Sequence, residues 1–309
     1  MKRRDLLIGA AAAGVAARLW GESPDPAKLH RISVMTYCFD KIIKSVGQPG
    51  DPTRTLDILD APQMIADRYG IHHVEFQHTH FASTDRAYLK EVRDRLKRAN
   101  SQMTQICLEF DALNISSPDL YVRLETIDLS RRWIDYAVEL GCPRVLLNQG
   151  TLAPEVRESA IATLKTIGEY GKSKRVSVTL ENRGGRRPRP ATAGSAPGPG
   201  TPPPAHPEST AGWEVLVEVI KAAGVYANPD IGNFPDETER AAGLRAMYPL
   251  SAGNSHAHYA PERYSEADAI AISKEVGYKG LYSIEAGRNN GPDPYVAVQT
   301  ILDALLKLI

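Results

Sequence analysis

The sequence predicts an α/β protein, a single-domain (β/α)8 TIM barrel over residues 29–309, and three observations predict it. Short apolar, β-branched runs alternate eight times with longer segments whose apolar residues recur at i, i+3, i+4 and i+7. Strand followed by helix, repeated, implies a parallel sheet with helical crossovers. Setting aside residues 1–28 and a Pro/Gly-rich stretch at about 184–208 leaves roughly 260 residues, close to the ~250 typical of a closed barrel. Finally, the first strand runs into Cys38-Phe39-Asp40, whereas an open doubly wound sheet more often has a Gly-rich turn there.

Taken in order, the first strand is expected in RISVMTY (31–37), and a helix in LDILDAPQMIADRYG (56–70) is closed by Gly70 as a C-cap. IHHVEF (71–76) is the second strand, and the amphipathic DRAYLKEVRDRLKRAN (85–100) is its helix. QMTQICLEF (102–110) leads into DLYVRLETIDLSRRWIDYAVELG (119–141), which ends at Gly141. RVLLNQ (144–149) precedes PEVRESAIATLKTIGEYGK (154–172), where Pro154 suits a first helical turn. VSVTLE (176–181), GVYANPD (224–230), AGNSHAH (252–258) and YKGLYSIE (278–285) are the last four strands. Their helices are expected at 212–224, 237–248, 265–277 and 294–309.

The chain is 42% hydrophobic and 24% charged over 309 residues, enough to bury a full core. Lys and Arg together number 37, as do Asp and Glu, so the net charge is zero and the basic excess of a nucleic-acid binder is missing. Cys38, Cys107 and Cys142 are sparse and odd in number, and are expected as small buried core residues rather than a disulfide framework. At the N-terminus a basic MKRRD (1–5) precedes the twelve-residue apolar run LLIGAAAAGVAA (6–17). That run is too short to span a bilayer and suits a signal-peptide core. Arg3-Arg4 resembles a twin-arginine export signal, with small residues at Val15 and Ala17 before Arg18. Residues 1–28 are therefore expected to be an export leader and short linker, with the mature protein periplasmic and without a membrane span. GGRRPRPATAGSAPGPGTPPPAHP (184–207) holds almost no large apolar residue and is expected to be a disordered insertion after strand five.

Residues at or just past the C-terminal end of a barrel strand face the active site. Strand five ends in Glu181, strand six in Asp230, strand seven in His256 and His258, and strand eight in Glu285. Packing accounts for Val, Ile and Leu at such places, not for four ionisable groups in a row. Two Glu, one Asp and one His suit one divalent ion such as Mn2+, Mg2+, Co2+ or Zn2+. Glu75 sits on strand two and is expected at the rim; His78 and His80, an HxH after that strand, are expected to line the pocket. His72 and His73 lie mid-strand and are read as structural.

These segments carry a resemblance. VTLENRGG (178–185), PDIGNF (229–234), SHAHYA (255–260), YSIEAG (282–287) and HVEFQ (73–77) are similar to segments of the xylose isomerase-like barrel superfamily of sugar (phosphate) isomerases and epimerases. The resemblance implies that Glu181, Asp230, His256 and Glu285 bind one divalent metal. It also implies that Glu181 and Glu285 are the catalytic acid/base pair. Many members have His three residues after the strand-six Asp and two after the strand-five Glu; here those places hold Asn233 and Arg183. These two, with Glu75, His78, His80 and His258, are expected to contact the substrate, a small carbohydrate. The DNA-repair endonuclease branch uses a larger zinc cluster with more His ligands, and Asn233, neutral charge and the export signal argue against it.

The expected reaction is isomerisation or epimerisation of a sugar or keto-sugar, in which a carboxylate removes a proton beside a metal-polarised carbonyl. Return of the proton to the other face gives an epimer, return to the neighbouring carbon an isomer, and expulsion of a β-substituent a lyase. A lyase or hydrolase acting on an exported keto-glycoside and a non-catalytic metal- or carbohydrate-binding barrel are the alternatives. The sugar, the metal and any homo-oligomer stay open at this point.

Overall fold

A computed structural model describes residues 24–47, 49–110, 113–183, 212–287 and 291–309. The leader up to residue 23 and the insertion at about 184–208 lie outside the described residues. Among those described, eight strands are β1 (Ile32–Met35), β2 (His73–Gln77), β3 (Gln102–Leu108), β4 (Arg144–Leu147), β5 (Ser177–Glu181), β6 (Tyr226–Asn228), β7 (Asn254–Ala257) and β8 (Leu281–Ile284). All neighbouring pairs run parallel, in the order β6-β5-β4-β3-β2-β1-β8-β7. Single bridges, Ala227 to Ser251 and Asp230 to His256, join the two ends of that order into a nearly closed (β/α)8 barrel. The His256 N–H donates to Pro229 O at 2.9 Å and the Ile231 N–H to His256 O at 3.2 Å across this seam.

The crossovers are α2 (Ala61–Tyr69), α3 (Arg86–Arg98), α4 (Leu120–Leu140), α5 (Arg157–Lys174), α6 (Trp213–Ala223), α7 (Glu237–Met247) and α8 (Glu266–Glu275), and α9 (Pro294–Leu308) closes the chain. Each lays its apolar stripe on the outside of the sheet. On α3 the buried residues are Leu89, Val92 and Leu96, an i, i+3, i+7 set, and each such burial contributes about 1.5–3 kcal/mol. Gly70 and Gly141 cap α2 and α4 in the left-handed conformation at φ 66° and 72°, as their positions in the sequence predict.

Two expected helix boundaries need correction, and one short helix was not foreseen. The helix expected from residue 56 starts at Ala61, because a 3-10 turn (Ile58–Asp60) comes first and Pro62 can enter a helix without cost in its first turn. The helix expected at 154–172 divides into a 3-10 turn (Pro154–Val156) and α5, which runs on to Lys174 and stops at Arg175 with φ 61°. The end of the segment read as a linker forms a helical turn, α1 (Pro26–Leu29), capped by Asp25 and tied to α9 by Lys28 Nζ donating to Leu306 O at 2.6 Å.

The barrel lumen is polar through much of its depth. Ser33 on β1 bonds Thr104 on β3 at 3.1 Å, and Gln105 on β3 donates to Asn228 Oδ1 on β6 at 3.2 Å. Bonds between strands that are not neighbours must cross the interior. Cys38, Cys107 and Cys142 are free and buried. Burial pushes the thiols of Cys38 and Cys142 up to about 12 and that of Cys107 higher still, so all three stay protonated and inert.

Candidate metal centre

Parallel strands all end at the same rim, so side chains at successive strand ends converge. Glu181 is the last residue of β5, Asp230 lies two past β6, His256 is the third residue of β7, and Glu285 follows β8. One ligand atom from each lies within 4.8 Å of all the others. Asp230 is fully buried and His256 is 1% exposed. The His256 Nδ1 sits 2.9 Å from Glu285 Oε2 and in close hydrogen-bond contact with Glu181 Oε1. Its Nε2 is 2.9 Å from Glu75 Oε1.

The loop after β6 is folded around its own carboxylate. Asp230 Oδ1 accepts from the backbone N–H of Gly232 at 2.6 Å and of Asn233 at 3.1 Å. Asn182, the residue after β5, clamps the Asp230 backbone, its Oδ1 accepting from Asp230 N at 2.8 Å and its Nδ2 donating to Asp230 O at 2.9 Å. Arg240 on α7 supports the same loop from below through Nε donating to Ile231 O at 2.8 Å.

Crowded carboxylates make this a site of perturbed protonation. Burial, with Asp230 and Glu285 nearby, pushes Glu181 up to about 8 against the pull of His256. Burial would raise Glu285 too, but His256 and His258 beside it outweigh that and hold its carboxyl at about 2. Burial disfavours charge on His256, yet Glu75, Glu181 and Glu285 surround the ring and keep its pKa well above the usual imidazole value. The imidazolium thus stands where a cation is wanted. Three carboxylates and one imidazole with convergent donor atoms fit a divalent ion, and so does the accumulated negative charge around His256.

The other expected site residues divide. His258 reaches the cluster, with Nε2 2.9 Å from Asp230 Oδ2 and 3.6 Å from Glu285 Oε2. Burial opposes its charge, but Asp230 and Glu285 raise it to about 9. Asn233 turns its Nδ2 onto Asp230 Oδ2 at 2.7 Å. Arg183 is at the rim, paired with Glu109 and 3.4 Å from Glu181 Oε2. His78 lies at the end of β2, its ring edge-on to Phe110 and Trp133 and its Nδ1 accepting from the Glu109 N–H at 3.1 Å.

Two residues do not face the pocket. His80 is fully buried because the 3-10 turn His78–His80 folds it back towards β1, where Nδ1 meets Thr36 Oγ1 at 2.9 Å and Nε2 meets Asp40 Oδ1 at 3.3 Å. Glu75 is fully buried in the lumen, not at the rim, because it lies in the middle of β2 opposite Gln105; His256, Gln105 and Asn254 meet its two oxygens there. Glu109, just past the end of β3, was not foreseen, although the strand-end rule that found Glu181 applies to it equally. A cavity of about 490 Å3 opens at the opposite end of the barrel, beside Gln102 and Arg144 at the strand starts, so cavity size does not lead to this cluster.

A model of the family described as Xylose isomerase-like TIM barrel matches residues 65–234, more than half of the chain. No curated protein matches the chain. Solved structures do. The D-allulose 3-epimerase from Methylomonas sp. has a TM-score of 0.66 at 14% identity, covering 91% of this chain and 98% of that one. An L-ribulose 3-epimerase has 0.63 at 15%, covering 90% and 95%. The 3-keto-D-glucoside 4-epimerase from E. coli has 0.63 at 15%, covering 90% and 99%. At such identities the likeness speaks to the fold.

Proposed function

The chain belongs to the xylose isomerase-like TIM barrel family, and on that premise we propose that it is a metal-dependent isomerase or epimerase of a sugar or keto-sugar. The observation that carries the reading is the convergence of Glu181, Asp230, His256 and Glu285, with one donor atom each inside 4.8 Å. These four would hold the ion, one of Mn2+, Mg2+, Co2+ or Zn2+. When bound, the ion would polarise a substrate carbonyl and acidify the adjacent C–H.

The remaining work falls to the protein's own groups. Glu181 and Glu285 are the carboxylates that take the proton and return it. Arg183, placed between Glu181 and Glu109, fixes the orientation of Glu181 and offers guanidinium N–H groups at the rim. His258, held by Asp230 and Glu285, stands where a substrate hydroxyl can reach the cluster. Keto-glycosides belong among the candidate substrates because one structural neighbour is a 3-keto-D-glucoside 4-epimerase. Residues 1–28 read as an export leader and short linker, and export would favour unphosphorylated sugars.

The test is solvent deuterium exchange. Metal-loaded protein is incubated in D2O with a panel of free ketoses and 3-keto-glycosides, and recovered sugars are analysed by NMR and mass spectrometry. Deuterium beside the carbonyl together with a new epimer or isomer is expected. Glu181→Gln and Glu285→Gln should each lose on the order of 10²–10⁴-fold in rate. Loss of the aglycone with no labelled sugar recovered would replace this reading with a lyase. No exchange on any member of the panel by metal-loaded wild type would overturn it.

A further inference from the structure

We propose that Glu75 is a positioning residue that fixes the proton on His256 Nε2 and so turns the Nδ1 lone pair towards the metal position. The inference rests on the metal reading above and adds to it a residue that touches neither substrate nor ion.

The geometry begins with the register. β2 and β3 shift register between Val74 and Glu75, a bulge-like irregularity that sets Glu75 opposite Gln105, and the two side chains bond in the lumen. Bulges beside active sites commonly re-aim a side chain in this way. Across the barrel, β7 presents two residues spaced i, i+2 on its inner face, Asn254 and His256. Each takes one oxygen of the same carboxylate. Asn254 Nδ2 donates to Glu75 Oε2 at 3.0 Å, and His256 Nε2 meets Glu75 Oε1 at 2.9 Å. Gln105 Nε2 adds a second donor to Oε1 at 2.9 Å. The carboxylate is clamped at both ends by one strand and steadied by another.

Donor accounting then fixes the ring. An ionised carboxylate only accepts, so the 2.9 Å contact is a hydrogen bond only if Nε2 carries a proton. A neutral imidazole has one proton. Without an ion the ring is an imidazolium and Nδ1 also carries a proton, towards Glu181 and Glu285; an ion would displace that proton, and the one left on Nε2 stays with Glu75, so Nδ1 would be the lone-pair atom. Glu75 is fully buried and both its oxygens are engaged by His256, Gln105 and Asn254, so its effect on the site runs through the ring. Glutamine has one acceptor oxygen for donors that now use two, so either the His256 Nε2–H loses its partner or an amide N–H is set against the Asn254 N–H, and in both cases the clamp on the ring is lost.

Mn2+ binding is measured by calorimetry on wild type, His256→Ala, Glu75→Gln and Glu75→Asp, each checked for folding by circular dichroism. Wild-type protein that takes up no metal would sink the metal reading itself, and this inference with it. If wild type binds one ion and His256→Ala does not, Glu75→Gln should lose affinity by on the order of 10–100-fold. Glu75→Asp, which keeps the charge, should recover part of that loss. Unchanged affinity in a folded Glu75→Gln overturns the positioning role while leaving the metal site standing. A measurement on the wild type serves if the variant does not fold. In the Zn2+-loaded protein, long-range 1H–15N spectra of the His256 ring should place the proton on Nε2. A proton on Nδ1 overturns the inference.

Discussion

Metal uptake at this cluster should be steeply pH-dependent. Glu181, raised to about 8 by burial, and His256, held well above the usual imidazole range by three carboxylates, both carry protons at pH 7. Both protons must leave when a carboxylate oxygen and Nδ1 take a divalent ion. The sign is fixed: affinity falls as pH falls. Each displaced proton changes the apparent association constant about tenfold, or ~1.4 kcal/mol, per pH unit below the pKa of its group. From pH 8 to pH 6, displacement of the Glu181 proton alone gives about 10²-fold, and displacement of the His256 proton makes the dependence steeper still. Calorimetric titration with Mn2+ in buffers of different ionisation enthalpy reads the proton count directly, and between one and two released at pH 7 is expected. An affinity that stays flat over that range, with no protons released, would refute the assignment of the raised carboxyl and the charged imidazole.

Without metal the same groups should act in the opposite sense on stability. Glu181, His256 and His258 all have raised values in the folded state, so their contribution is present at low pH and lost as pH rises through about 5 to 9. Melting in the presence of chelator should therefore show Tm falling across that window, and added Mn2+ should reverse the trend. In the layer between sheet and helices, Ile134 on α4 is fully buried. Ile134→Ala should cost about 2–5 kcal/mol by chemical denaturation, with metal affinity unchanged because the residue lies outside the lumen.

The repeating pattern was legible because each element obeys its own period. All eight strands fall where apolar runs predict them, but most are shorter than the runs. The residues that follow β1, such as Thr36 and Tyr37, are read as strand by pattern and lie in a 3-10 turn (Thr36–Ile42). Composition does not mark where the ladder ends and the loop begins. The four clustered residues were legible for a geometric reason, since parallel strands bring their C-terminal ends to one rim. Depth along the lumen was not. Glu75 alternates inward as any strand residue does, and only the register shift and the donors from β3 and β7 reveal that it lies in the lumen and not at the rim. The HxH at His78 and His80 misled because a 3-10 turn sends its two rings in different directions. Asn182, Asn254 and Gln105 gave no signal, because amides that orient charged groups have no spacing rule of their own.

The barrel has a seam. β6 and β7, at the two ends of the strand order, meet through isolated bridges instead of a full ladder, and one of those bridges pairs Asp230 with His256. Glu181 and Asp230 lie on one side of this join, His256 and Glu285 on the other. An ion held by all four would therefore act as a rivet across the thinnest place in the wall. Opening of β6 from β7 is the low-energy way to unzip such a cylinder, and a ligand bound to both edges raises the cost of that opening with its own concentration. Amide hydrogens of His256 and Ile231 would then exchange more slowly as metal is added, while those in the middle of the sheet, such as Ile106, would keep their rates until the whole molecule unfolds.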